Sequence, residues 1–546
     1  MTDMTLKPVT VELQLLSVAS EMYPFAKTGG LGDVVGSLPR ALKQFGIATR
    51  TVLPGYRSVM AAFEHPRHVG HFPDVMGHPV DLWEGMARGH HLYAVDCRDL
   101  FDRSGGPYVA PDGHDWSDNG VRFAVLSRVA SWVACGADPE WRPDVVQSHD
   151  WQAGLVPAFL RYEQESPPPV AHVVHNLAFQ GVFPREMLGA FGLPERAFTM
   201  EGVEYYGQIS FMKAALQLAD RIIAVSPTYA EEIQTPAEGM GLDGLLRARS
   251  DRLVGILNGI DLQEWNPASD PSVVFPYTVG DVVARRANKR AFQAEFDLPQ
   301  DPDALLIGMA SRLTTQKGAD IVAEIAPRLF EWPIQMAIIG TGDPAIMRSF
   351  TELRARYPRN FICHLRYSET LGHRLHSAVD ATLVPSRFEP CGLTQFQALR
   401  YGSVPIAARV GGLSDTIVDA NTAAIYEGVA NGILFAPATP ETLLAAIRRA
   451  KKLFQQKSVW ARLQRNGALH DVSWEGKAEL YARLFLEMTG KGPGKSELEG
   501  EIAPRRGDTA GRNSTAQRGM AAARMPAARA PRSSSQRPTS RTGTRA

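Results

Sequence analysis

The sequence is poor in cysteine and lacks long apolar runs. Its four cysteines are scattered over 546 residues without a Cys-x-x-Cys pair, which excludes a cysteine-based zinc framework and a secreted disulfide scaffold. No apolar stretch reaches the roughly 18 residues that span a bilayer. Residues 1–14 also lack the basic and apolar segments of a signal peptide. We therefore expect a reduced, cytoplasmic protein without a membrane partner.

An excess of charge of either sign is also missing from the chain as a whole. Lysine plus arginine and aspartate plus glutamate number 58 each, but residues 505–546 hold ten arginines and one acid, Asp508. The preceding residues carry 48 basic and 57 acidic side chains, so a nucleic-acid partner is not expected for the folded body. Residues 491–546 are rich in glycine, proline, serine, alanine and arginine, which predicts a disordered tail.

Short apolar segments alternate with helical patterns through the rest of the chain, which is too long for one core. Strands are predicted at residues 13–20, 49–53, 92–95, 145–148, 170–174, 221–225, 305–310, 336–340, 380–385 and 404–408. Helices are predicted between several of them, at residues 123–134, 211–218 and 319–329. Strands that alternate with helices indicate α/β architecture, with doubly wound parallel sheets. The turn-rich stretch 258–280 separates two such Rossmann-like sheets, which we expect to face a cleft.

A glycine-rich turn follows the first predicted strand. Its sequence is Lys27-Thr-Gly-Gly-Leu-Gly-Asp33, with Gly30 at its centre, and we expect Asp33 to cap the next helix. Glycines allow a ligand to approach the backbone closely, and a helix N-terminus offers free amides. The turn therefore suits a phosphate or an array of sugar hydroxyls, although many such turns serve packing alone.

A second motif joins a carboxylate to a helix start. Glu389 lies in a predicted strand-to-helix loop, and Cys391-Gly392-Leu393-Thr394 opens the helix. Backbone amides there are suited to a diphosphate, while the carboxylate is free for sugar hydroxyls. The alternative is that Glu389 caps its own helix. Cys391 is expected either to react with thiol reagents in the cleft or to pack as a small apolar side chain.

Two cations follow the first strand of the second half. Arg312 and Lys317 belong to Ser311-Arg-Leu-Thr-Thr-Gln-Lys-Gly318. Arginine offers a bidentate fork to phosphate, and lysine offers a point charge. Two surface cations alone are commonplace, so this pair indicates a diphosphate site through its combination with the other motifs.

Two further segments begin at predicted strand ends in the first half. His149-Asp-Trp-Gln-Ala-Gly154 supplies Asp150 and Trp151, and His175-Asn-Leu-Ala-Phe-Gln-Gly181 supplies His175 and Asn176. The carboxyl ends of parallel strands form the ligand-binding edge of such a sheet. A single histidine at a strand end is more often structural, but its recurrence at two ends favours a site.

Three other patterns do not indicate a ligand site on their own. Asp301-Pro-Asp303 matches the D-x-D of metal-dependent glycosyltransferases, but its proline-rich setting predicts a turn. The histidines at positions 65, 68, 71 and 78 are interrupted by proline and glycine and have no accompanying cysteine, so we expect a solvated loop. Gly340-Thr-Gly342 lacks the third glycine of a dinucleotide fingerprint.

Together these segments resemble the bacterial glycogen synthases and plant starch synthases, over about residues 17 to 474. The resemblance implies the two-domain GT-B fold, with residues 1–262 as the acceptor-side domain and 263–470 as the donor-side domain. It also implies that a last helix, within 471–490, crosses back to the first domain. Gln397 stands where many wider relatives have a second glutamate, which favours the synthase branch.

The resemblance further implies retaining transfer of glucose from ADP-glucose to the non-reducing 4-hydroxyl of an α-1,4-glucan such as glycogen, without a metal or other cofactor. The residues that it assigns to catalysis are Glu389, His175, Arg312, Lys317 and Asp150. Those that it assigns to substrate binding are Lys27, Gly30, Asn176, Asn258, Cys391, Gly392, Leu393, Thr394, Trp151 and Tyr108.

Three alternatives stay open on the sequence alone. UDP-glucose in place of ADP-glucose is one, because ADP follows from the resemblance and not from base-contacting residues. An α-glucan phosphorylase is the second, although it needs a pyridoxal-phosphate lysine and a much longer chain. A non-catalytic glucan-binding protein is the third.

Overall fold

Eighteen strands form three sheets in the computed structural model, which describes residues 12–278, 281–366 and 368–491. All but the first residue of the predicted tail lies outside the described residues. The strands are β1 (Leu13–Val18), β2 (Ile47–Pro54), β3 (Glu64–Val75), β4 (His78–Ala87), β5 (His90–Asp96), β6 (Val145–His149), β7 (Val170–Val174), β8 (Val182–Phe183), β9 (Glu204–Tyr205), β10 (Gln208–Ser210), β11 (Arg221–Ala224), β12 (Leu253–Gly255), β13 (Leu305–Ala310), β14 (Ile334–Ile339), β15 (Phe361–His364), β16 (Ala381–Val384), β17 (Val404–Ala408) and β18 (Ile433–Phe435).

Helices cover both faces of the two larger sheets. They are α1 (Gly30–Leu42), α2 (Arg57–Met60), α3 (Arg98–Phe101), α4 (Asn119–Ala134), α5 (Val156–Glu163), α6 (Phe211–Leu218), α7 (Pro227–Glu232), α8 (Asp243–Ala248), α9 (Val282–Glu295), α10 (Ala319–Leu329), α11 (Pro344–Arg356), α12 (Glu369–Ala378), α13 (Thr394–Arg400), α14 (Gly411–Thr416), α15 (Thr422–Glu427), α16 (Pro440–Gln455), α17 (Lys457–Leu469) and α18 (Glu475–Thr489). No helix among the described residues is long and apolar enough to cross a membrane.

The first sheet has nine strands in the order β12-β11-β7-β6-β1-β2-β5-β4-β3. Seven of them, from β12 to β5, run parallel, whereas β4 is antiparallel to both β3 and β5. The parallel strands are short and largely buried because helices cover both faces, which is why they read as apolar runs. The expectation of an α/β chain with doubly wound sheets is confirmed, with an antiparallel edge added.

The prediction that the histidines at positions 65–78 lie in a solvated loop is wrong, because this segment forms the antiparallel edge of the first sheet. The histidines at positions 65, 68 and 71 lie on β3, and His78 begins β4. An edge strand with mostly solvent-exposed side chains carries little apolar periodicity, so the sequence pattern resembles a loop. The argument that no cysteine accompanies these histidines also fails. His78, Cys97 and Asp99 bring their ligand atoms within 4.8 Å of one another.

The second sheet has six parallel strands in the order β15-β14-β13-β16-β17-β18. Its first strand, β13, is almost fully buried and is followed by α10, which begins after Gly318. The Asp301-Pro-Asp303 segment before β13 is a turn, as expected, since the backbone N–H of Asp303 donates to the Asp301 side chain at 2.8 Å.

The first helix begins differently from the sequence expectation. Gly29 occupies its N-cap position, and Asp33 lies one turn inside the helix. Asp33 therefore does not cap α1. Its carboxylate instead lies 2.8 Å from Lys27 Nζ. Lys27 also forms an ion pair with Glu369, which lies 342 residues away in the chain, so the sequence gives no sign of that second pair.

α18, the last helix within the described residues, packs against the first sheet. Trp474, Tyr481 and Phe485 are buried in the same apolar cluster as Leu13 of β1 and Leu38 of α1. The Trp474 indole N–H donates to Ser37 Oγ at 2.7 Å. Residues 471–490 therefore complete an apolar core that begins at the other end of the chain.

Candidate active site

A cleft of about 620 Å³ lies between the carboxyl ends of the strands of the two sheets. One wall consists of residues that follow β1, β6, β7 and β12, and the other of residues that follow β13, β14 and β16. Open α/β sheets bind ligands at this edge, because loops of different strands meet there. The topology therefore places side chains distant in sequence around one space.

The second-sheet wall is built on an ion pair. Lys317 Nζ donates to Glu389 Oε1 at 2.8 Å and to Oε2 at 2.6 Å, and Ser386 Oγ donates to Oε2 at 2.8 Å. The Glu389 carboxylate is thus not free, although a carboxylate has about four acceptor positions and three are used here. The capping alternative is wrong, because α13 begins at Thr394 with Leu393 at its N-cap and no side-chain cap.

Arg312 supplies a second cation to this wall. It follows β13, lines the cleft and is exposed. Within residues 12–278, 281–366 and 368–491 its guanidinium forms no ion pair. A bidentate donor at a cleft edge therefore stands ready for an anion.

The first-sheet wall contains a strained residue. Asp150 follows β6 and has φ 51° and ψ −172°, a combination close to the region that is essentially confined to glycine. Its Oδ1 accepts the backbone N–H groups of His175 at 2.7 Å and Asn176 at 3.2 Å. Burial raises the pKa of Asp150 to about 7, against the opposing effect of these hydrogen bonds. The carboxyl group thus joins the ends of β6 and β7.

Two histidines meet at the same wall, with His149 buried behind it and His175 half-buried at the cleft. His149 Nδ1 lies 2.9 Å from His175 Nε2, and His149 Nε2 lies 3.2 Å from Ser17 Oγ. Burial lowers the pKa of His175 to about 3 and holds the pKa of His149 well below its usual value. Both rings are therefore neutral near pH 7, and the Nδ1 of His175 is the ring nitrogen left for a ligand.

The glycine-rich turn joins the two walls. Lys27 Nζ lies 2.8 Å from Asp33 and 2.9 Å from Glu369, which begins α12 of the second-sheet half. Burial lowers the pKa of Lys27, but the two carboxylates outweigh it and raise the pKa above its ordinary value. A Cβ atom on Gly30 would lie 3.3 Å from Leu393 Cδ1, so glycine permits the close approach of the two halves here.

Glu21 fixes the conformation of this turn. Its Oε2 accepts the backbone N–H groups of Thr28 and, at 3.3 Å, of Gly29, while Tyr108 donates its hydroxyl to Oε1. Burial raises the pKa of Glu21. Tyr108 also contacts Ser20 Oγ at 2.7 Å, so its hydroxyl is held on the protein and the ring edge borders the cleft.

The joint between the two halves contributes Asn258 and Cys391. Asn258 is 4% exposed, and its Oδ1 has no hydrogen-bond partner within the described part of the chain. Such an acceptor suits a ligand hydroxyl. Cys391 is 3% exposed and burial raises its pKa to about 12, which favours the packing alternative over a reactive thiol.

All fifteen residues that the sequence predicted for the site line this cleft. They are Lys27, Gly30, Tyr108, Asp150, Trp151, His175, Asn176, Asn258, Arg312, Lys317, Glu389, Cys391, Gly392, Leu393 and Thr394. Trp151 reaches the cleft from an aromatic cluster, with its ring centroid 5.1 Å from that of Phe123.

Sequence reasoning missed several other lining residues. Glu21, Phe179, Trp265, Thr341, Glu369 and His376 also border the cleft. The Gly340-Thr-Gly342 motif carried a signal, because it directly follows β14 and is therefore at the ligand-binding edge although it is no dinucleotide fingerprint. Glu369 and His376 lie on α12 and have no pattern in the sequence that indicates a site.

Comparisons with known proteins agree with this geometry. Residues 14–248 match the starch synthase catalytic domain family and residues 292–466 match the glycosyl transferases group 1 family. A glycogen synthase of Rhodopseudomonas palustris is 50% identical over 87% of this chain and 97% of its own length. A glycogen synthase of Acidiphilium cryptum is 48% identical over 88% of this chain and 100% of its own.

Solved structures give the same result at the level of the fold. The catalytic domain of starch synthase IV from Arabidopsis thaliana, bound to ADP and acarbose, superposes with a TM-score of 0.81 at 29% identity, covering 88% of this chain and 100% of that one. A sucrose-phosphate synthase from Thermosynechococcus elongatus is similar in fold, with a TM-score of 0.54, 19% identity and the same coverage of each chain.

Two parallel-sheet halves that face a cleft lined by cations and carboxylates define a glycosyltransferase of the GT-B fold. Within that class, the chain belongs to the glycogen synthase family. The resemblance seen in the sequence is thus confirmed, and the alternative of a non-catalytic glucan-binding protein is excluded.

Proposed function

We propose that this enzyme transfers glucose from ADP-glucose to the non-reducing 4-hydroxyl end of an α-1,4-glucan such as glycogen, with retention of configuration. The observation that carries the proposal is the Lys317–Glu389 pair, which faces Asp150 and His175 across the cleft. The family supports the chemistry, and the ADP and acarbose named for the starch synthase IV structure support the donor and the acceptor.

In this proposal the second-sheet wall accepts the departing diphosphate. Arg312 and Lys317 supply fixed positive charge, while backbone amides at residues 391–394 add hydrogen-bond donors. Preorganised donors of this kind stabilise charge that develops on a leaving group, because they need no reorganisation when the bond breaks. These groups would do the work that a metal ion does in other glycosyltransferases.

The first-sheet wall holds the glucosyl unit. Asp150, Asn176 and the neutral His175 offer acceptors and donors of modest charge, which suits sugar hydroxyls. The remaining acceptor position of Glu389 and the Oδ1 of Asn258 add two more contacts from the opposite side and from the joint. Trp151 and Tyr108 shape the pocket, and Lys27 with Gly30 closes it beside the diphosphate.

The chemical step exchanges one bond at the anomeric carbon. The bond from C1 to the diphosphate oxygen breaks, and the glucan 4-hydroxyl oxygen attacks C1 from the same face as the departing group. Because attack and departure share one face, configuration is retained without a protein nucleophile. The hydroxyl proton moves to the departing diphosphate. Closure of the two halves would exclude water, which otherwise hydrolyses the donor.

The division of labour follows the two sheets. We propose residues 1–262 as the acceptor-side domain, 263–470 as the donor-side domain and 471–490 as the helix that ties them together. We also infer a cytoplasmic location, on the basis of the four free cysteines, and no nucleic-acid partner for the folded body.

The direct test measures incorporation of labelled glucose into glycogen from ADP-glucose and UDP-glucose in parallel, each with and without a chelator. We expect incorporation from ADP-glucose that the chelator leaves unchanged. Preference for UDP-glucose would overturn the donor assignment, and loss of activity with chelator would overturn the role given to Arg312 and Lys317. Release of glucose 1-phosphate from glycogen by inorganic phosphate, with absorbance of a pyridoxal cofactor, would indicate a phosphorylase instead.

A further inference from the structure

Three metal-ligating side chains of different kinds meet at the antiparallel edge of the first sheet. His78 begins β4, Cys97 directly follows β5, and Asp99 lies in α3. We call these three residues the edge cluster. None of them lines the cleft, and the proposed transfer of glucose does not use them.

The register of the β4–β5 hairpin brings the cluster together. Asp81 of β4 pairs with Asp96 of β5, and the same antiparallel register, continued outwards, places His78 opposite Asp99. Side chains two positions apart on a strand share a face, so His78 lies on the face of the fully buried Val80. The fold therefore directs an imidazole to the buried face at the end of an apolar row.

The three side chains contact one another. Cys97 Sγ donates to Asp99 Oδ1 at 3.1 Å, and His78 Nδ1 forms a hydrogen bond with Asp99 Oδ2. One ligand atom of each residue lies within 4.8 Å of the other two. In a tetrahedral zinc site the ligand atoms are about 2.0–2.3 Å from the ion, and hence roughly 3.4–3.6 Å from one another. Small movements of the side chains are therefore enough to place all three around one ion.

The chemistry of the donors favours zinc. A thiolate and an imidazole suit Zn²⁺, whereas Mg²⁺ and Ca²⁺ take oxygen ligands. The thiolate of Cys97 and the carboxylate of Asp99 together neutralise a divalent ion, and the imidazole is neutral. Three protein ligands leave the fourth tetrahedral position for water. Asp99 is exposed and His78 is half-buried, so an ion has a path from the solvent.

The surroundings of the edge cluster also suit a cation. In the part of the chain that the structure describes, Asp99 forms its ion pair with His78 and with no lysine or arginine. A second group of possible ligands, Glu264, Glu369 and His373, differs in this respect. Lys27 Nζ lies 2.9 Å from its Glu369, so a positive charge is already present there.

We propose that the edge cluster binds one zinc ion through His78 Nδ1, Cys97 Sγ and a carboxylate oxygen of Asp99, and that the ion links α3 to β4. The Cys97 thiol releases its proton to the solvent as the bond from sulfur to zinc forms. Because the ion binds the folded chain, it stabilises that state. The role is structural, so the inference does not depend on the proposed function, and the metal-free chemistry proposed for the cleft is unchanged.

The test measures zinc binding by the purified full chain after treatment with a chelator. Competition with a zinc indicator should show about one bound ion per chain, and magnesium at millimolar concentration should not displace it. Zinc should raise the melting temperature. Cobalt in place of zinc should give the thiolate-to-cobalt charge-transfer absorption, which requires a cysteine ligand.

Three substitutions remove the ligands one at a time. Asp99→Asn alters an exposed side chain and keeps its shape, Cys97→Ser keeps a small hydroxyl in the core, and His78→Gln keeps a polar side chain. Each should weaken zinc binding by more than about 100-fold, because changes next to a ligand alone cost 10- to 100-fold. Each should also abolish the rise in melting temperature, and Cys97→Ser should lose the cobalt absorption. The kcat for glucose transfer should stay unchanged.

Two control variants keep the edge cluster intact. His71→Gln removes a histidine of β3 whose Nδ1 lies 3.0 Å from Asp81 Oδ1, and Cys135→Ser removes a half-buried thiol elsewhere in the chain. Both should bind zinc as the wild type does.

The possible outcomes separate this inference from the proposed function. Absence of zinc binding in the wild type, or wild-type affinity in Asp99→Asn, would overturn the inference. Loss of binding in His71→Gln or Cys135→Ser together with normal binding in Asp99→Asn would place the ion elsewhere and also overturn it. If a chelator lowers glucose transfer equally in the wild type and in Asp99→Asn, the metal-free role of the cleft fails while the zinc site stands on its binding data.

Discussion

The two walls of the cleft solve the burial of polar groups in opposite ways. On the second-sheet wall, charge is kept and compensated, as in the Lys317–Glu389 pair, or left exposed, as in Arg312. On the first-sheet wall, charge is suppressed, because burial drives Asp150 towards its acid form and His175 towards its neutral form. One wall thus suits a ligand that carries charge, and the other suits a ligand that carries hydroxyls.

The largest effect should come from removing charge on the second-sheet wall. We expect Lys317→Ala and Arg312→Ala each to lower kcat by about 10²- to 10³-fold, because each removes a preorganised donor at the leaving group. Steady-state kinetics with ADP-glucose and glycogen measure this loss. Lys457→Ala removes a lysine that is 50% exposed and paired with Asp303, and it should leave kcat unchanged. Near-normal turnover in both site variants would contradict the proposal that the second-sheet wall binds the charged leaving group.

Acid should destabilise the buried histidines behind the first-sheet wall. Burial lowers the pKa of His172 from 6.5 to about 3. Between these two pH values the ring is protonated in the unfolded chain but neutral in the folded protein, so the free energy of unfolding decreases as pH falls from 6.5 towards 3. Between about pH 7.5 and pH 5, His172 alone should remove about 2 kcal/mol from the free energy of unfolding.

The measurement is urea denaturation of the wild type and of His172→Asn at both pH values. The pH-dependent loss should be about 2 kcal/mol smaller in the variant, whatever its stability at the higher pH. Asp150 acts in the opposite direction, since its raised pKa adds stability as pH falls through about 7. An identical loss in both proteins would mean that His172 is protonated in the folded state.

Asp150 should also give the activity a pH dependence. With a pKa of about 7, its carboxylate is ionised above that pH and is then the stronger acceptor for sugar hydroxyls. We expect kcat/KM for ADP-glucose to rise about tenfold from pH 6 to pH 8. Asp150→Asn should be less active and flat over the same range. A wild-type profile without this rise would show that ionisation of Asp150 has no part in donor binding.

The smallest expected effect is the chemical reactivity of Cys391. Here the second-sheet wall disfavours the charged form of a titratable group, as the first-sheet wall does for Asp150 and His175. With its pKa raised to about 12 by burial, the thiol should not react with iodoacetamide at pH 8 in the folded enzyme. Peptide mass spectrometry after brief labelling, with and without urea, measures this. Labelling of Cys391 at the rate of the half-buried Cys135 would contradict its burial.

The sequence predicted the buried parallel strands well for a physical reason. β7 and β13 match their predicted bounds because helices cover both faces, so that every position is buried or nearly so and, apart from His172 of β7, none carries a polar side chain. β3 was missed because it lies at the sheet edge, where prolines and exposed polar side chains interrupt the pattern. The local hydrophobic pattern of a strand depends on which of its faces are covered by other elements. An edge strand with exposed faces, such as β3, therefore has little hydrophobic pattern.

The site shows the same division. Residues at strand ends, such as Asp150 and Arg312, were found because strand ends follow from the pattern. Glu369 was missed because its pairing with Lys27 depends on how two separately folded segments meet. The positive φ of Asp150 and the neutral state of His175 depend on their three-dimensional surroundings, which no local spacing encodes.

The helix α18 packs against β1, which is synthesised much earlier. Tyr481 and Phe485 of α18 and Trp474 at its N-cap share one apolar cluster with Leu13, and these three residues leave the ribosome long after β1. The first sheet can therefore assemble early in synthesis but must wait, with part of its surface uncovered, until the second half has emerged. Nascent chains halted before α18 should need chaperones, and the completed enzyme should acquire both halves of its cleft at once.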